Sequence, residues 1–142
     1  MGSPLKGIRI LDMTRVLAGP MCCVILKDLG AEVIKVEHPE TGDDSRSYGP
    51  YINGQSLYFM SSNRGKKSIA IDLKNPEGKQ VLKDLVKKVD VLVENFRPGT
   101  MERLGLGYDV LKDINPKLIY GAISGFGATG PDSARAAYDI LV

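Results

Sequence analysis

Three glycines near the end of the chain have a spacing that could bind a dinucleotide. They lie in residues 124–131, SGFGATGP, and form the pattern G-x-G-x-x-G, whose bare backbone can wrap around a pyrophosphate. Such a motif normally occupies the turn after the first strand, with an acidic residue about 20 positions later that binds the ribose. Here the glycines come late and Pro131 follows them directly, although Glu37 could imitate the ribose-binding acid. This context argues against an NAD-dependent dehydrogenase and leaves it as an alternative.

Basic, aromatic and small residues follow the apolar runs of the chain. The runs lie at 7–13, 32–37, 67–73, 90–96 and 117–124, and the residues at or just after their ends include Arg15, Leu17, Ala18, His38, Lys74, Asn75, Asn95, Phe96, Arg97 and Arg103. In an open parallel sheet, ligands bind outside the carboxyl ends of the strands. Cations, a flat ring and small residues at one sheet edge suit a ligand with phosphates, a purine and a long slender body.

The elements that must position these residues are also readable from the sequence. The runs are short and rich in β-branched residues, and they alternate with segments of helical periodicity, as βαβ units do. We therefore predict an α/β fold, a three-layer Rossmann-like domain with a mostly parallel sheet of five strands, one for each run. A chain of 142 residues has room for one such domain.

The helices are predicted from their end signals. Residues 19–30 have Pro20 in the first turn and Gly30 after the end, and the second predicted helix has Asn75 as its N-cap. Its predicted apolar face consists of Val81, Leu82, Leu85 and Val89. Residues 100–116 predict two short helical pieces, broken at Gly105 and Gly107.

The segment 38–67 contains many turn-forming residues and predicts a long surface loop. Arg46 is expected to hold this loop through Asp43 or Asp44.

Composition excludes several classes of function. A net charge of +2 is too small for a nucleic-acid partner, and no apolar run approaches the length of a membrane span. The adjacent Cys22 and Cys23 disfavour a mutual disulfide and a metal site, and we expect them to pack as small apolar residues. The N-terminal apolar run is interrupted by Asp12, unlike a signal peptide. These features predict a cytoplasmic protein, or a mitochondrial matrix protein if a transit peptide has been removed.

Five ordered motifs resemble one enzyme family over essentially the whole chain. They are LDMTRVLAGP, DLGAEVIKVE with the following GDD and R, NRGKKSIAIDLKNPEGK, DVLVENFRPG with RLGLGY, and LIYGAISGFGATGP with AYD. Together they resemble the N-terminal part of the class III CoA-transferases, the CaiB/BaiF type that includes formyl-CoA transferase. The resemblance implies that residues 1–142 are the N-terminal CoA-binding domain of such an enzyme, C-terminally truncated.

The resemblance also implies a set of ligand contacts. Coenzyme A or acyl-CoA is the expected substrate, with no permanently bound cofactor. The residues matching family contacts are Leu17, Ala18, His38, Ile71, Asp72, Leu73, Lys74, Asn95, Phe96, Arg97, Arg103, Ala136, Ala137, Tyr138 and Asp139. His38 stands where better-known members carry arginine, and a neutral imidazole binds phosphate less firmly. Taken singly, Lys74 and Arg97 could also be solvated charges, and Phe96 a core residue.

The family's chemistry needs a residue outside this sequence. Its nucleophilic aspartate, which attacks an acyl-CoA thioester, is expected beyond Val142. The resemblance places the loop at 124–131 near that reaction centre, where backbone N–H groups could bind a developing oxyanion. It also implies small carboxylic acids as acceptor substrates and an interlocked homodimer.

Two alternatives remain open. The α-methylacyl-CoA racemases resemble the chain over the same strands, but the pair that matches Tyr138 and Asp139 is typically His-Asp there, so Tyr138 favours the transferase. The chain could also be a non-catalytic CoA-binding module or a fragment.

Overall fold

Seven strands lie within residues 2–137, the part of the chain that the computed structural model describes. They are β1 (Arg9–Asp12), β2 (Glu32–Glu37), β3 (Tyr51–Ile52), β4 (Gln55–Ser56), β5 (Lys67–Ala70), β6 (Val91–Glu94) and β7 (Ile119–Ala122). One sheet has the strand order β5-β2-β1-β6-β7, and all its neighbours are parallel. β3 and β4 form a separate antiparallel hairpin. The predicted parallel sheet is therefore confirmed.

The same range contains five α-helices and one 3-10 turn. They are α1 (Ala18–Asp28), the 3-10 turn Asp44–Ser47, α2 (Leu57–Asn63), α3 (Pro76–Val86), α4 (Thr100–Arg103) and α5 (Tyr108–Ile114). α1 has Pro20 in its first turn, and Gly30 follows it with a φ of 105°. The side chain of Asn75 caps α3 and accepts a hydrogen bond from the Glu77 N–H at 2.9 Å. These end signals act as the sequence predicted.

The sheet buries an apolar face on each side. Ile10 of β1 packs in a cluster with Cys23 of α1, whereas the next residue, Leu11, packs in a second cluster with Leu82 of α3. This alternation follows from the two-residue period of a strand. Helices therefore cover both faces of the sheet, which confirms the three-layer α/β fold. The buried position of Cys23 also agrees with its expected role as a small apolar residue.

Two predictions about local structure were wrong in detail. Val81 was placed on the buried face of α3, yet it is 45% exposed, while Leu82 and Val86 are fully buried. Because successive helical residues are turned by about 100°, the stripe that contains Leu82 and Val86 leaves Val81 at its margin.

The predicted surface loop at 38–67 holds regular structure: the 3-10 turn, the β3–β4 hairpin and α2. The Ser56 hydroxyl caps α2 by accepting a hydrogen bond from the Phe59 N–H at 3.1 Å. A helix of seven residues shows too little periodicity to be recognised from sequence. None of the helices described in residues 2–137 has the length and apolarity to cross a bilayer.

Candidate functional site

A cavity of about 320 Å³ lies outside the carboxyl ends of β6 and β7. It is lined by Ala18, Asn95, Phe96, Arg97, Pro98, Ile123, Ser124, Gly125, Arg135, Ala136 and Ala137. The small residues come from the start of α1, from the loop after β7 and from the last described residues. Its lining combines apolar and polar residues, and Arg97 is exposed.

A second cavity, of about 260 Å³, lies outside the carboxyl ends of β1, β2 and β5. It is lined by Met13, Arg15, Val36, Glu37, His38, Ile71, Asp72, Leu73, Lys74, Phe96, Thr100 and Leu104. β5 ends at Ala70, earlier than the predicted run, and the chain then turns away from the sheet. That turn presents Ile71 to Lys74 to the cavity, with the Lys74 N–H donating to Asp72 Oδ1 at 2.8 Å.

Phe96 belongs to the lining of both cavities. The guanidinium of Arg15 lies over its ring, 5.5 Å from the centroid, and also 3.8 Å from Asp44 Oδ2. The negative face of an aromatic ring attracts a guanidinium, which helps to hold Arg15 at this point. The two cavities thus meet at an aromatic ring with a cation above it.

The structure brings most of the sequence-predicted contacts into these two cavities. Those in the cavity linings are Ala18, His38, Ile71, Asp72, Leu73, Lys74, Asn95, Phe96, Arg97, Ala136 and Ala137. Leu17 and Arg103 are in neither lining; Arg103 is exposed and donates to the Thr100 hydroxyl at 2.9 Å. Thr100 lines the second cavity, so Arg103 lies at its margin. Tyr138 and Asp139 fall outside the described residues.

The glycine-rich loop lacks the setting of a dinucleotide fingerprint. It follows β7, Gly127 and Gly130 have φ values of 79° and 94°, and the described residues after β7 form turns with no helix. A pyrophosphate site of this type needs the N-terminus of a helix directly after the glycines. Gly125 instead lines the first cavity.

Glu37 is already engaged by side chains of the protein. Arg46 donates to it through Nε at 2.7 Å and Nη2 at 2.8 Å, and the Ser68 hydroxyl donates at 2.6 Å. Burial acts to raise the pKa of the Glu37 carboxyl, but these donors outweigh it and hold the pKa below its usual range. Arg46 was expected to pair with Asp43 or Asp44; its partner is Glu37 because the loop turns back over β2. A carboxylate so occupied does not imitate a ribose-binding acid.

Sequence reasoning missed two buried lysines beside the site. Lys35 Nζ lies 2.8 Å from Asp43 Oδ2 and donates to the Thr14 carbonyl at 2.7 Å. Burial acts to raise the pKa of Asp43, but Lys35 and the Ser45 donors keep it below its usual range. The available signal was a lysine inside the apolar run EVIKVE, where a strand buried on both faces rarely carries a charge.

The second buried lysine is Lys66. Its ammonium donates to Asp12 Oδ2 at 2.7 Å, to the Pro20 carbonyl at 2.9 Å and to Asn63 Oδ1 at 2.9 Å. Burial, with a smaller effect from Lys35, lowers the pKa of this ammonium, although Asp12 opposes the shift. Lys66 thereby ties the end of β1 to the start of α1 and to the end of α2.

A third cavity, of about 270 Å³, contains a buried carboxylate. Glu94 accepts a hydrogen bond from the Phe96 N–H at 2.7 Å and lies 3.5 Å from the Tyr120 hydroxyl. Burial, with a smaller effect from Glu102, raises the pKa of Glu94, although the Phe96 N–H opposes this shift. Glu94 therefore fixes the turn that carries Asn95 and Phe96 into the other two cavities.

Comparison with known proteins gives the site its context. The model of CoA-transferase family III matches residues 5–142. The chain is 55% identical over 139 residues to succinyl-CoA:glutarate CoA-transferase of Mus musculus, covering 97% of this chain and 32% of that protein. It is 52% identical to acetyl-CoA:oxalate CoA-transferase of Acetobacter aceti, covering 98% of this chain and 36% of that protein.

Solved structures agree with the sequence comparisons. A CaiB/BaiF family protein from Brucella suis superposes with a TM-score of 0.93 and 46% identity, covering 99% of this chain and 38% of that one. The chain thus spans about a third of the length of the relatives that it matches. The parallel sheet, the cavities at its carboxyl edge and these similarities together show that the chain belongs to CoA-transferase family III, the CaiB/BaiF family.

Proposed function

We propose that this chain supplies the CoA-binding domain of a CoA-transferase that moves coenzyme A from an acyl-CoA donor to a small carboxylic acid. The observation that carries the proposal is the pair of cavities that meet at Phe96. The second cavity, bounded by the turn at 71–74 and by His38, would take the nucleotide. The first, bounded by Ala18, Ala136 and Ala137, would take the slender pantetheine arm.

The proposed chemistry proceeds through a carboxylate beyond Val142. That aspartate attacks the acyl-CoA carbonyl, so that a mixed anhydride forms and CoA leaves as a thiolate. The thiolate then attacks the aspartyl carbonyl of the anhydride, which gives an aspartyl-CoA thioester and releases the donor acid. The acceptor carboxylate repeats the two steps in the opposite sense, and the aspartate is regenerated. Covalent catalysis of this kind divides one difficult exchange into easier steps.

On the basis of the family resemblance, the whole enzyme is proposed to be a homodimer. The N-terminal sequence supports a cytoplasmic location, or the mitochondrial matrix if a transit peptide has been removed. Its substrates are proposed to be acyl-CoA thioesters and small carboxylic acids, as the names of the relatives suggest for those proteins.

Ligand binding provides the first test. In isothermal titration we expect the chain to bind CoA and to bind NAD much more weakly, because no helix follows the glycines within the described residues 131–137. Binding of NAD without binding of CoA would contradict the proposal. In a transferase assay, turnover by the 142-residue chain alone would contradict the separation of CoA binding from the nucleophile.

The cations at the rim provide a second test. Lys74→Ala, Arg97→Ala and Arg103→Ala are each expected to weaken CoA binding by about 1–3 kcal/mol, because each removes a charge-assisted contact to phosphate. Lys87→Ala is the matched control: Lys87 is an exposed cation just past the last residue of α3, at the end away from the cavities. If one of these variants binds CoA as tightly as the control, the substituted residue does not contact a phosphate and is removed from the proposed site.

A further inference from the structure

The loop between β1 and α1 is held by side chains from several parts of the chain. The Thr14 N–H donates to Asp12 at 2.9 Å, and the Thr14 carbonyl accepts from Lys35 at 2.7 Å. The Arg15 N–H donates to Asn95 Oδ1 at 2.7 Å, and the Asn95 amide donates back to the Arg15 carbonyl at 2.9 Å. Four successive backbone polar groups are thus bound by three side chains.

The next backbone group in this loop, the N–H of Val16, is bound by Asp43. It donates to Asp43 Oδ1 at 3.1 Å, and the same oxygen accepts from the Ser45 N–H at 2.9 Å and the Ser45 hydroxyl at 2.7 Å. The other oxygen, Oδ2, lies 2.8 Å from Lys35 Nζ. The side chains of Asp43 and Lys35 are 1% and 2% exposed, and neither residue lines any of the three cavities described above. Both contact the loop that carries Arg15 and Ala18.

Val16 has a backbone conformation that disfavours its own side chain. Its φ is 68°, in the left-handed region, where a β-branched residue is a genuine outlier. Such a conformation persists only when the surroundings determine it. On one side of Val16 the Arg15 guanidinium lies at the second cavity, and on the other Ala18 lines the first.

We propose that Asp43 and Lys35 are positioning residues for coenzyme A, which hold residues 14–16, with Val16 in its strained conformation, and so place Arg15 and Ala18 before the ligand arrives. This inference rests on the proposed function. Without the pair, the loop relaxes and binding must restore the strain. The expected loss of CoA affinity in Asp43→Asn is about 5- to 150-fold. This range is the strain energy of one residue in such a conformation, converted to a ratio of dissociation constants.

The test compares Asp43→Asn with two controls in isothermal titration of CoA. Asp84→Asn makes the same chemical change in an exposed ion pair with Lys87, and Val86→Ala weakens the core far from the loop. Only Asp43→Asn is expected to weaken binding beyond the controls. Ser45→Ala, which removes one donor to Asp43 and leaves the buried charges paired, is expected to act in the same direction and serves if Asp43→Asn does not fold.

Rescue separates positioning from general destabilisation. Glycine adopts a positive φ without steric cost, so Asp43→Asn is expected to weaken CoA binding less in a Val16→Gly background than in the native chain. Equal losses in the two backgrounds would overturn the inference, as would native-like affinity in Asp43→Asn.

Hydrogen exchange keeps the two proposals distinguishable. The Arg15 and Val16 amides are expected to exchange faster in Asp43→Asn than in Asp84→Asn or Val86→Ala, and unchanged exchange overturns the role of Asp43. Failure of the native chain to bind CoA overturns the proposed function, while the exchange rates still decide whether Asp43 holds the loop.

Discussion

At the scale of single residues, the buried carboxylates differ in how their charge is compensated. Glu37 is bound by Arg46 and Ser68. Glu94 is buried beside Tyr120 and accepts hydrogen bonds from the Phe96 N–H and the Tyr120 hydroxyl. The pKa of Glu37 is lowered and that of Glu94 is raised, so the two have opposite effects on how stability changes with pH.

Glu37→Gln is expected to lower the free energy of unfolding at pH 7 by about 1–3 kcal/mol, because it removes charge-assisted hydrogen bonds from Arg46. The folded-state pKa of Glu37 is lowered, so its contribution is present above the unfolded pKa and is lost as pH falls through the folded pKa. The difference in free energy of unfolding between the native chain and the variant should therefore disappear at acidic pH. Urea titrations at several pH values measure it. The control is Glu32→Gln, an exposed partner of Lys67, for which little change is expected.

Glu94→Gln should show the opposite dependence on pH. Because the folded-state pKa of Glu94 is raised, the native chain loses stability as pH rises from the unfolded pKa through the folded one. The variant lacks this loss while its amide oxygen still accepts from the Phe96 N–H. In the same urea titrations, we expect the free energy of unfolding of the variant to rise relative to that of the native chain as pH increases through that window. A constant difference at all pH values would show that Glu94 does not titrate in this way.

At the scale of elements, a glycine brings α3 close to the turn after β5. A Cβ at Gly78 would lie 2.1 Å from the Asp72 carbonyl oxygen, and Asp72 lines the second cavity. Glycine to alanine in a helix ordinarily stabilises by about 1 kcal/mol. Here we expect Gly78→Ala to destabilise by about 1–3 kcal/mol through the clash, and to weaken CoA binding.

Thermal unfolding and titration with CoA measure the two effects of Gly78→Ala. Gln80→Ala, at an exposed position of the same helix, is expected to leave both unchanged. If Gly78→Ala were more stable than the native chain, α3 and the turn at Asp72 could move apart without loss of stability.

The elements with strong local signals were predictable from sequence. The five sheet strands, α1 with Pro20 and Gly30, and α3 with Asn75 all follow from β-branched runs and cap residues. The regular structure between β2 and β5 was not predictable, because its elements are short and its order depends on contacts distant in sequence. The hydrogen bond from the Val16 N–H to Asp43, 27 positions later, is one such contact, and no local pattern specifies it.

The same distinction applies to the site. The strand-end rule predicted lining residues that directly follow the strands, such as Ala18, Asn95 and Phe96, since parallel strands bring their carboxyl ends to one edge. Residues 71–73, Ala136 and Ala137 were predicted only from the family resemblance. The rule could not predict the direction of a side chain, and Arg103 turns toward Thr100. The partner of Arg46 could not be read either, because Glu37 becomes its neighbour only when the chain folds back.

At the scale of the whole molecule, β1 lies at the centre of the sheet, where the order of the strands reverses. The chain moves outward through β2 and β5 on one side and through β6 and β7 on the other. Such a switch point leaves a crevice between the loops after the two central strands. The paired hydrogen bonds between Arg15 and Asn95 span this crevice.

A ligand that bridges the crevice should stabilise the whole fold. We expect CoA at about 100 times its dissociation constant to raise the free energy of unfolding by about 2.7 kcal/mol, since it binds only the folded chain. Differential scanning calorimetry would record this as a rise in Tm, with NAD at equal concentration as the control. An equal rise with both ligands would indicate binding that is not specific to CoA.

The central place of β1 also affects how a nascent chain folds. The backbone of Arg15 can form its hydrogen bonds to Asn95 only after Asn95, 80 positions later, has been synthesised. At about 5–20 residues per second, translation of that stretch takes roughly 4–16 seconds. During that interval β1 can pair with β2, but its other edge has no partner from its own chain. An open edge on an apolar strand can pair with other polypeptides. A newly made chain is therefore expected to pass through several seconds in which this edge can associate with a neighbouring chain unless it is covered.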